Sequence, residues 1–329
     1  MVSSYGMAQD AAPLAIYYEH PAWFERLFSA LEQRGLVYIK IFVPEHVMDP
    51  SVPPLDAEAI AFNRMSASAH TRGHADTLAY MADLLTDLEL RGIPVINGTR
   101  AYAFETSKAK QLALLASLRL AFPRSRVIHR ADQVGGAARE LRFPLVFKPN
   151  VGGRGTGIVR FDDLASLCDA AASGTLDFGM DSVALLQEYA PKRGDKITRV
   201  EILGGKFLYA IDVRTSAETF DLCPADVCAV PAAHGEDELN ARVVTVTATK
   251  AEPPAEAIAD VERICQAAGI EVGGVEYLVD DRDGRRLYYD VNALSNFVAR
   301  PLETIGFDPW EPLVDWLETR VRERGLAHA

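Results

Sequence analysis

Apolar and polar positions follow two alternating periods in the first third of the chain. Short apolar runs predict strands, and the segments between them repeat their apolar positions with a helical period. The predicted elements are, in order, a strand at 14–18, a helix at 21–34, a strand at 36–43, a helix at 74–91 and a strand at 93–97. Because strands alternate with helices, we predict an α/β unit with a parallel sheet that ends near residue 100.

The pattern becomes richer in strands after residue 100. A helix begins near residue 104, and later helices are predicted at 162–172, with Asp162 as N-cap, at 254–268 and at 309–324. The predicted strands are 144–148, 157–161, 183–189, 198–204, 206–214, 272–280 and 286–291. This mixture predicts α+β architecture. We divide the chain into units of residues 1–100, 101–187 and 188–329.

The composition supports several globular units. The chain has 329 residues, of which 49% are hydrophobic and 24% charged, so it can bury a core and is not of the disordered class. Its formal net charge of −12 argues against a nucleic-acid or anionic-membrane partner. Four cysteines are too few for a disulfide framework. We therefore expect a cytoplasmic protein without a leader or a membrane span.

A glycine-rich loop between two apolar strands is the first chemical signal. The segment 143–161 reads FPLVFKPNVGGRGTGIVRF, and its first strand ends on Lys148. The glycines that we single out are Gly152, Gly153, Gly155 and Gly157. Glycine lets backbone N–H groups approach an anion, and lysine adds a compact positive charge. The segment predicts a flap over a nucleotide, with an ordinary glycine-rich hairpin as the alternative.

Three oxygen-bearing side chains near the end of the chain are the second signal. Asp290 and Asn292 are two residues apart on a predicted strand and share one face, and such ligands suit magnesium. Glu276 joins them only if it pairs opposite Asp290. A two-residue turn at Asp283 and Gly284 would place it on the other face. We therefore predict a three- or five-residue connection or a bulge; exposed acids on a solvated strand are the alternative.

These two signals belong to a series of five segments that resembles the ATP-grasp superfamily, in particular the branch of ribosomal-protein glutamate ligases and bacterial glutathione synthetases. The five segments are ETSKAKQLALL, the strand-lysine-glycine loop, QEYA, TRVEILGGK and DVNALSNF, in that order. The resemblance implies an α/β and α+β ATP-grasp fold with an N-terminal pre-ATP-grasp domain. It also implies ATP held between two subdomains with two Mg²⁺ ions, for which Mn²⁺ is a substitute.

The resemblance also implies roles for individual residues. Lys108 and Lys148 correspond to the two phosphate-contacting lysines, with Lys110 as the competitor of Lys108. Arg199 corresponds to an arginine that steadies the transferred phosphoryl group. The adenine-binding hinge corresponds to Gln187, Glu188, Tyr189 and Ala190. The metal ligands correspond to Glu276, Asp290 and Asn292, with Asp290 in place of the more usual glutamate.

The substrate-binding region departs from the family pattern. The segment RTSAETFDLCPADVC replaces a basic run after the strand at 206–214, and the usual NxSPG ending is replaced by NALSN. The candidate substrate contacts are Arg64, Arg214, Ser295, Asn296 and Arg300. The fork of donors on Arg64 suits a carboxylate, and a surface arginine is the alternative.

Three other features are weaker candidates. Cys223 and Cys228 allow a zinc or redox interpretation, with buried cysteines as the alternative. His70 and His74 are four residues apart and suggest a metal pair or an ordinary exposed pair. Asp195 lies near the position of a ribose-binding acid.

The resemblance implies an ATP-dependent carboxylate–amine ligase that forms an acyl-phosphate and then an amide, releasing ADP and phosphate. Its substrates would be small carboxylates and amines, including amino acids or a peptide. A homodimer through the first domain is also suggested. Two alternatives stay open: a non-ligating ATP-binding regulatory protein, and a ligase that modifies a peptide or protein.

Overall fold

The computed structural model describes residues 13–153, 155–215 and 246–328. The described strands form three sheets. They are β1 (Leu14–Tyr18), β2 (Ile39–Phe42), β3 (Ile60–Arg64), β4 (Val95–Ile96), β5 (Ser125–Ile128), β6 (Leu145–Pro149), β7 (Val159–Phe161), β8 (Ala184–Glu188), β9 (Lys196–Leu203), β10 (Lys206–Thr215), β11 (Val246–Lys250), β12 (Val272–Val279) and β13 (Arg286–Asn292). The α-helices are α1 (Glu25–Arg34), α2 (Thr77–Leu90), α3 (Thr99–Glu105), α4 (Lys108–Ser117), α5 (Val134–Ala138), α6 (Leu164–Ser173), α7 (Ala255–Ala268), α8 (Pro301–Thr304) and α9 (Trp310–His328).

The first sheet is parallel, with strand order β2-β1-β3-β4, which confirms the predicted α/β architecture. Side chains of β1 alternate between two cores because successive residues of a strand point to opposite faces. Leu14 and Ile16 join one apolar cluster, and Ala15 and Tyr17 join the other. Helix α2 covers the second face. Both faces are therefore buried, as a parallel sheet requires.

The second sheet is antiparallel, with order β5-β8-β6-β7, and packs against α5 and α6. Asp163, rather than the predicted Asp162, is the N-cap of α6, because its carboxylate accepts the Ser166 N–H at 2.8 Å. Asp162 instead contacts Arg160 at 3.0 Å. The prediction of a single helix from residue 104 was also wrong, because α3 ends at Glu105 and a separate helix, α4, begins at Lys108.

The third sheet is antiparallel, with order β11-β10-β9-β12-β13, and its apolar face packs on α7. Three strands, β3, β5 and β11, have no counterpart among the predicted strands. The last helix, α9, leaves this unit and packs on α1, where Arg34 contacts Glu311 at 2.7 Å and Leu317 joins the core of the first sheet. The first and third units therefore share one core.

Among the described helices, none combines the length and the apolar character needed to cross a membrane.

Candidate active site

A cavity of about 440 Å³ lies between the second and third sheets, with Trp23, Ser66 and Ser68 of the first unit in its wall. Strands β6, β8, β9, β12 and β13 and the glycine-rich loop supply most of the lining. The predicted site residues that line it are Lys108, Lys148, Gly152, Gly153, Gly155, Gln187, Glu188, Tyr189, Ala190, Arg199, Glu276, Asp290, Asn292 and Asn296. The fold therefore brings together most of the residues singled out in the sequence.

The acidic residues share one face because of a bulge. Glu276 on β12 pairs directly with Asp290 on β13, and the register shifts by one between Glu276 and Tyr277. The extra residue is Tyr289, whose hydroxyl donates to Glu276 Oε2 at 2.8 Å. A β-bulge inserts one residue and re-aims the side chains beside it. The predicted pairing and the predicted bulge are both confirmed.

The two carboxylates have different partners. Asp290 Oδ1 accepts from Lys108 Nζ at 2.6 Å, and its other oxygen accepts from Asn292 at 3.3 Å. Burial acts to raise the pKa of Asp290, but the Lys108 ammonium more than offsets this, so the pKa lies below its usual value. Burial and the neighbouring Asp290 raise the pKa of Glu276. Asp290 therefore stays ionised to lower pH than an ordinary aspartate, whereas Glu276 is protonated more readily than an ordinary glutamate.

Lys108 and Lys148 face the acids from two different elements. Lys108 is the first residue of α4, whose N-cap Ser107 accepts the Lys110 N–H at 3.3 Å. Asn150, just after β6, accepts the Ala109 N–H at 2.8 Å and so ties the start of this helix to the strand of Lys148. Burial, and then the charge of Lys108, lower the pKa of Lys148 to about 7. A bound anion that contacts both lysines would counteract burial and the repulsion from Lys108, and so raise the pKa of Lys148.

The glycine-rich loop closes against the first unit. Gly155 and Gly157 have φ of 71° and 73°, a conformation that glycine adopts without steric cost. A Cβ on Gly153 would lie 2.6 Å from the Cβ of Ser68, so the tip of the loop is in close contact with the 3-10 helix at 67–72. The loop therefore forms one wall of the cavity.

Arg199 is held by two carboxylates, one on its own strand β9 and one on the adjacent strand β12. Its Nε contacts Glu201 at 2.6 Å, and its Nη1 contacts Glu276, its cross-strand partner, at 3.1 Å. Burial would lower the pKa of Arg199, but the two carboxylates more than compensate and raise it. The guanidinium is therefore permanently charged and points at the acidic cluster.

The predicted hinge occupies the side of the cavity formed by β8. Gln187 is buried, and its amide donates to Ser125 Oγ at 2.9 Å. The Glu188 carboxylate accepts the Arg142 N–H at 3.0 Å. The ring of Tyr189 lies 4.7 Å from the Arg160 guanidinium. This side combines an aromatic ring with apolar and amide groups, which suits a planar heterocycle.

The candidate substrate residues divide into two groups. Asn296 lines the cavity, and its buried Oδ1 has no hydrogen-bond partner among the described residues; Ser295 is buried beside Arg199. Three arginines lie elsewhere. Arg64 is fully buried behind the wall, Arg214 is exposed on β10, and Arg300 is exposed beside Glu303 at 3.3 Å.

The weaker candidates find other surroundings. Lys110 is exposed and does not line the cavity, which favours Lys108 as the lysine of the site. His70 bonds the Ala67 carbonyl at 2.8 Å, and His74 lies 3.7 Å from Glu19. Asp195 is exposed in a turn with φ of 51° and lies outside the cavity lining. Cys223 and Cys228 lie outside the described residues.

Comparison with solved structures identifies the architecture. The ATP-grasp ligase PsnB in complex with a minimal precursor matches with a TM-score of 0.66 and 18% identity over 94% of this chain and 99% of that chain. D-alanine–D-alanine ligase from Bacillus anthracis in complex with ATP matches with a TM-score of 0.65 and 17% identity, over 96% and 99%. The chain has the ATP-grasp fold.

Sequence comparison agrees with the expected branch of the ATP-grasp superfamily. A curated relative from Mannheimia succiniciproducens, named probable alpha-L-glutamate ligase, is 25% identical over 238 residues, 72% of each chain. A relative from a Shewanella species, named probable alpha-L-glutamate ligase 1, is 25% identical over 313 residues, 91% of this chain and 92% of its own. No family model matches the chain. The resemblance to the glutamate ligase branch is therefore confirmed.

The ATP-grasp fold implies a divalent cation, and the residues present fit one. Carboxylate and amide oxygens of Glu276, Asp290 and Asn292 meet on one face, and such hard donors suit Mg²⁺. The described residues contain no group of three His, Cys, Asp or Glu side chains arranged for a metal. The ligands of a divalent cation here would therefore have to include the Asn292 amide oxygen and oxygens of a bound phosphate.

Four residues that line this cavity or hold its side chains in place were missed in the sequence: Glu105, Asn150, Glu201 and Tyr289. Glu201 follows Arg199 by two strand positions, and Asn150 follows Lys148 by two, so alternation along a strand was an available signal. Tyr289 belongs to the bulge, and Glu105 acts through backbone contacts to Ala293 and Leu294. Neither of these two could be found from spacing alone.

Proposed function

We propose that the chain is an ATP-dependent carboxylate–amine ligase. The observation that carries the proposal is the convergence of three cations with three oxygen donors in one cavity, under a glycine-rich loop. The cations are Lys108, Lys148 and Arg199, and the oxygen donors are Glu276, Asp290 and Asn292. Such an arrangement favours polyphosphate binding and stabilises charge that develops during phosphoryl transfer.

In the first step, a carboxylate oxygen of the substrate attacks the γ-phosphorus of ATP, and the bond between that phosphorus and the leaving oxygen of ADP breaks. Lys148 and Arg199 stabilise the transferred group, and Lys108 holds Asp290 in place. In the second step, an amine attacks the acyl carbon, the bond between that carbon and the phosphate oxygen breaks, and the proton that the amine loses passes to the released phosphate. When bound, Mg²⁺ supplies charge neutralisation at the phosphate oxygens.

The glycine-rich loop has a defined part in this scheme. An acyl-phosphate is hydrolysed if water reaches it, so the reaction needs a closed site. The contact between Gly153 and Ser68 joins the loop to the first unit and closes one side of the cavity. The first unit therefore contributes both to substrate enclosure and to exclusion of water.

The substrates fall within amino-acid chemistry. The curated relatives are named for glutamate, and the solved structures of the same fold include a D-alanine–D-alanine ligase and a ligase bound to a precursor peptide. We propose that one substrate is an amino acid. A peptide is the second candidate, because PsnB has been solved with a precursor peptide. We further propose two metal ions, with Mn²⁺ as a substitute for Mg²⁺, a cytoplasmic setting and a homodimer.

The test is an ADP-release assay with pooled amino acids and small carboxylic acids, followed by mass spectrometry of any new amide. We expect ADP release that requires an amine, and its loss in Lys148→Ala. The exposed Lys206→Ala on β10 is the matched control, and it should keep wild-type activity. Nucleotide binding without turnover on any acceptor would favour the regulatory alternative.

A further inference from the structure

Buried side chains from outside the third sheet hold the segment that follows β13. We call residues 293–297 the exit segment. Asn97 donates to the Ala293 carbonyl at 2.5 Å, and Glu105 accepts the Ala293 and Leu294 N–H groups at 2.7 and 3.2 Å. Arg64, at the end of β3, donates from Nη2 to the carbonyl of Ser295. The path of the exit segment is therefore set partly by the first unit.

The surroundings of Arg64 are unusual for an arginine. The side chain is 1% exposed, and its Nε and Nη1 have no hydrogen-bond partner within the described part of the chain. Its guanidinium lies 5.1 and 5.0 Å from the ring centres of Phe24 and Phe62, which offsets part of the desolvation cost. Burial of a cation with one carbonyl partner nevertheless costs desolvation free energy and lowers the stability of the folded chain. Among the described residues, the hydrogen bond that Arg64 makes joins it to the exit segment.

Ser295 connects this contact to the phosphoryl site. Its hydroxyl accepts from Arg199 Nη2 at 3.4 Å, while Nη1 of the same guanidinium contacts Glu276. A shift of the Ser295 backbone would therefore move one of the groups that orient Arg199. Asn296 lines the cavity as the next residue, so the same shift would also alter the wall.

We propose that Arg64 is a positioning residue, which fixes Ser295 and thereby orients Arg199 toward the γ-phosphate. This inference rests on the proposed function, which places ATP in the cavity. It replaces the expected role of Arg64 as a ligand for a substrate carboxylate, because the guanidinium lies behind the cavity wall. Arg64 thus acts on the phosphoryl site through Ser295, without lining the cavity itself.

The experiment compares the affinities of the wild type and its variants for AMPPNP and ADP, each with Mg²⁺, by calorimetry. The ratio of the two dissociation constants isolates the contacts of the γ-phosphate. Arg64→Met and Ser295→Ala should each reduce this preference for AMPPNP about 10-fold, the effect of one lost hydrogen bond to a charged group. ADP affinity should stay at the wild-type value in both variants.

Three further variants sharpen the test. The double variant Arg64→Met/Ser295→Ala should lose no more than either single variant, because both interrupt one connection. Arg64→Lys keeps a donor for the Ser295 carbonyl and should restore most of the preference. Tyr102→Phe is the control, because Tyr102 is buried and its hydroxyl donates to the Leu78 carbonyl at 3.2 Å. It should leave the preference unchanged.

Different outcomes separate the two proposals. An unchanged AMPPNP preference in Arg64→Met, or additive losses in the double variant, would overturn the positioning role while leaving the ligase proposal intact. If Arg64→Met does not fold, Arg64→Lys and Ser295→Ala decide the question: full preference in Ser295→Ala overturns the inference. Absence of nucleotide binding by the wild type would overturn both proposals.

Discussion

Glu276 lies directly opposite Asp290 across the β12–β13 pair, and the bulge at Tyr289 is what puts them there. Without the one-residue shift, the register nearer the turn would place Glu276 opposite Tyr289. The side chains of Glu276 and Asp290 would then point to opposite faces of the sheet. The acidic cluster is thus a product of strand irregularity as much as of composition.

Asp290→Asn should abolish most of the effect of Mg²⁺ on nucleotide binding. The variant loses a charged oxygen donor and leaves Lys108 without its anionic partner. We expect the Mg²⁺-dependent gain in nucleotide affinity to fall by at least about 100-fold, the upper end for loss of an outer-sphere partner. Asp283→Asn, in the exposed turn between the same strands, is the control. A preserved Mg²⁺ effect in Asp290→Asn would contradict the metal assignment.

Replacing Lys108 should have a much larger effect than replacing Lys110. Lys108 lines the cavity and contacts Asp290, whereas Lys110 is exposed on the same helix. We expect Lys108→Ala to weaken ATP binding about 10- to 100-fold, the range for a lost hydrogen bond to a charged group. Lys110→Ala should bind as the wild type does. Equal effects of the two substitutions would reject the choice of Lys108, and titration with AMPPNP measures both.

Nucleotide binding should take up a proton above neutral pH. Burial and Lys108 hold the pKa of Lys148 at about 7, so at pH 8 this amine is mostly neutral in the free protein. Phosphate favours the ammonium and raises that pKa, so binding protonates Lys148, and affinity falls as pH rises above 7. Calorimetry at pH 8 in Tris and in HEPES measures the uptake, because their ionisation enthalpies differ.

The control for this proton uptake is Lys148→Arg, which stays charged throughout the range. It should bind nucleotide with no proton uptake from the side chain at position 148 and with a flatter pH dependence. Equal uptake in the wild type and in Lys148→Arg would show that another group is responsible.

Gly153→Ala should disturb closure of the glycine-rich loop. The added methyl group would lie 2.6 Å from the Cβ of Ser68, closer than atoms can pack. We expect a lower kcat and more ATP hydrolysis relative to amide formation, because water enters the site. Gly152→Ala is the control, since its nearest neighbour would be 3.9 Å away. Ser68→Gly should rescue Gly153→Ala; failure of this rescue would argue against the contact.

The sequence was most informative where a local pattern determines structure. The parallel first sheet follows from the alternation of strands with helices, and the Lys148 strand follows from a short apolar run. The pairing of Glu276 with Asp290 follows from the alternation of side chains between the two faces of a strand. The resemblance then supplied the superfamily and the branch. The division into units at residues 100 and 187 and the roles assigned to individual site residues stay predictions.

Long-range packing explains what the sequence did not reveal. Nothing near Arg64 in the sequence indicates that it meets Ser295, 231 positions away, and its fork of donors suggested a substrate contact instead. Likewise, Asn150, just after β6, accepts the Ala109 N–H at the start of α4, 41 positions away. Such contacts depend on how the units pack, which no local period records.

The most direct test follows oxygen from the substrate into phosphate. The pooled carboxylic acids and amino acids are labelled with ¹⁸O in their carboxyl groups, and the phosphate released with ADP is analysed by mass spectrometry. The account predicts one ¹⁸O atom in the phosphate, because the carboxylate oxygen bonds to the γ-phosphorus and leaves with it. Phosphate that takes its new oxygen from water, with ADP release independent of any carboxylate, would contradict it.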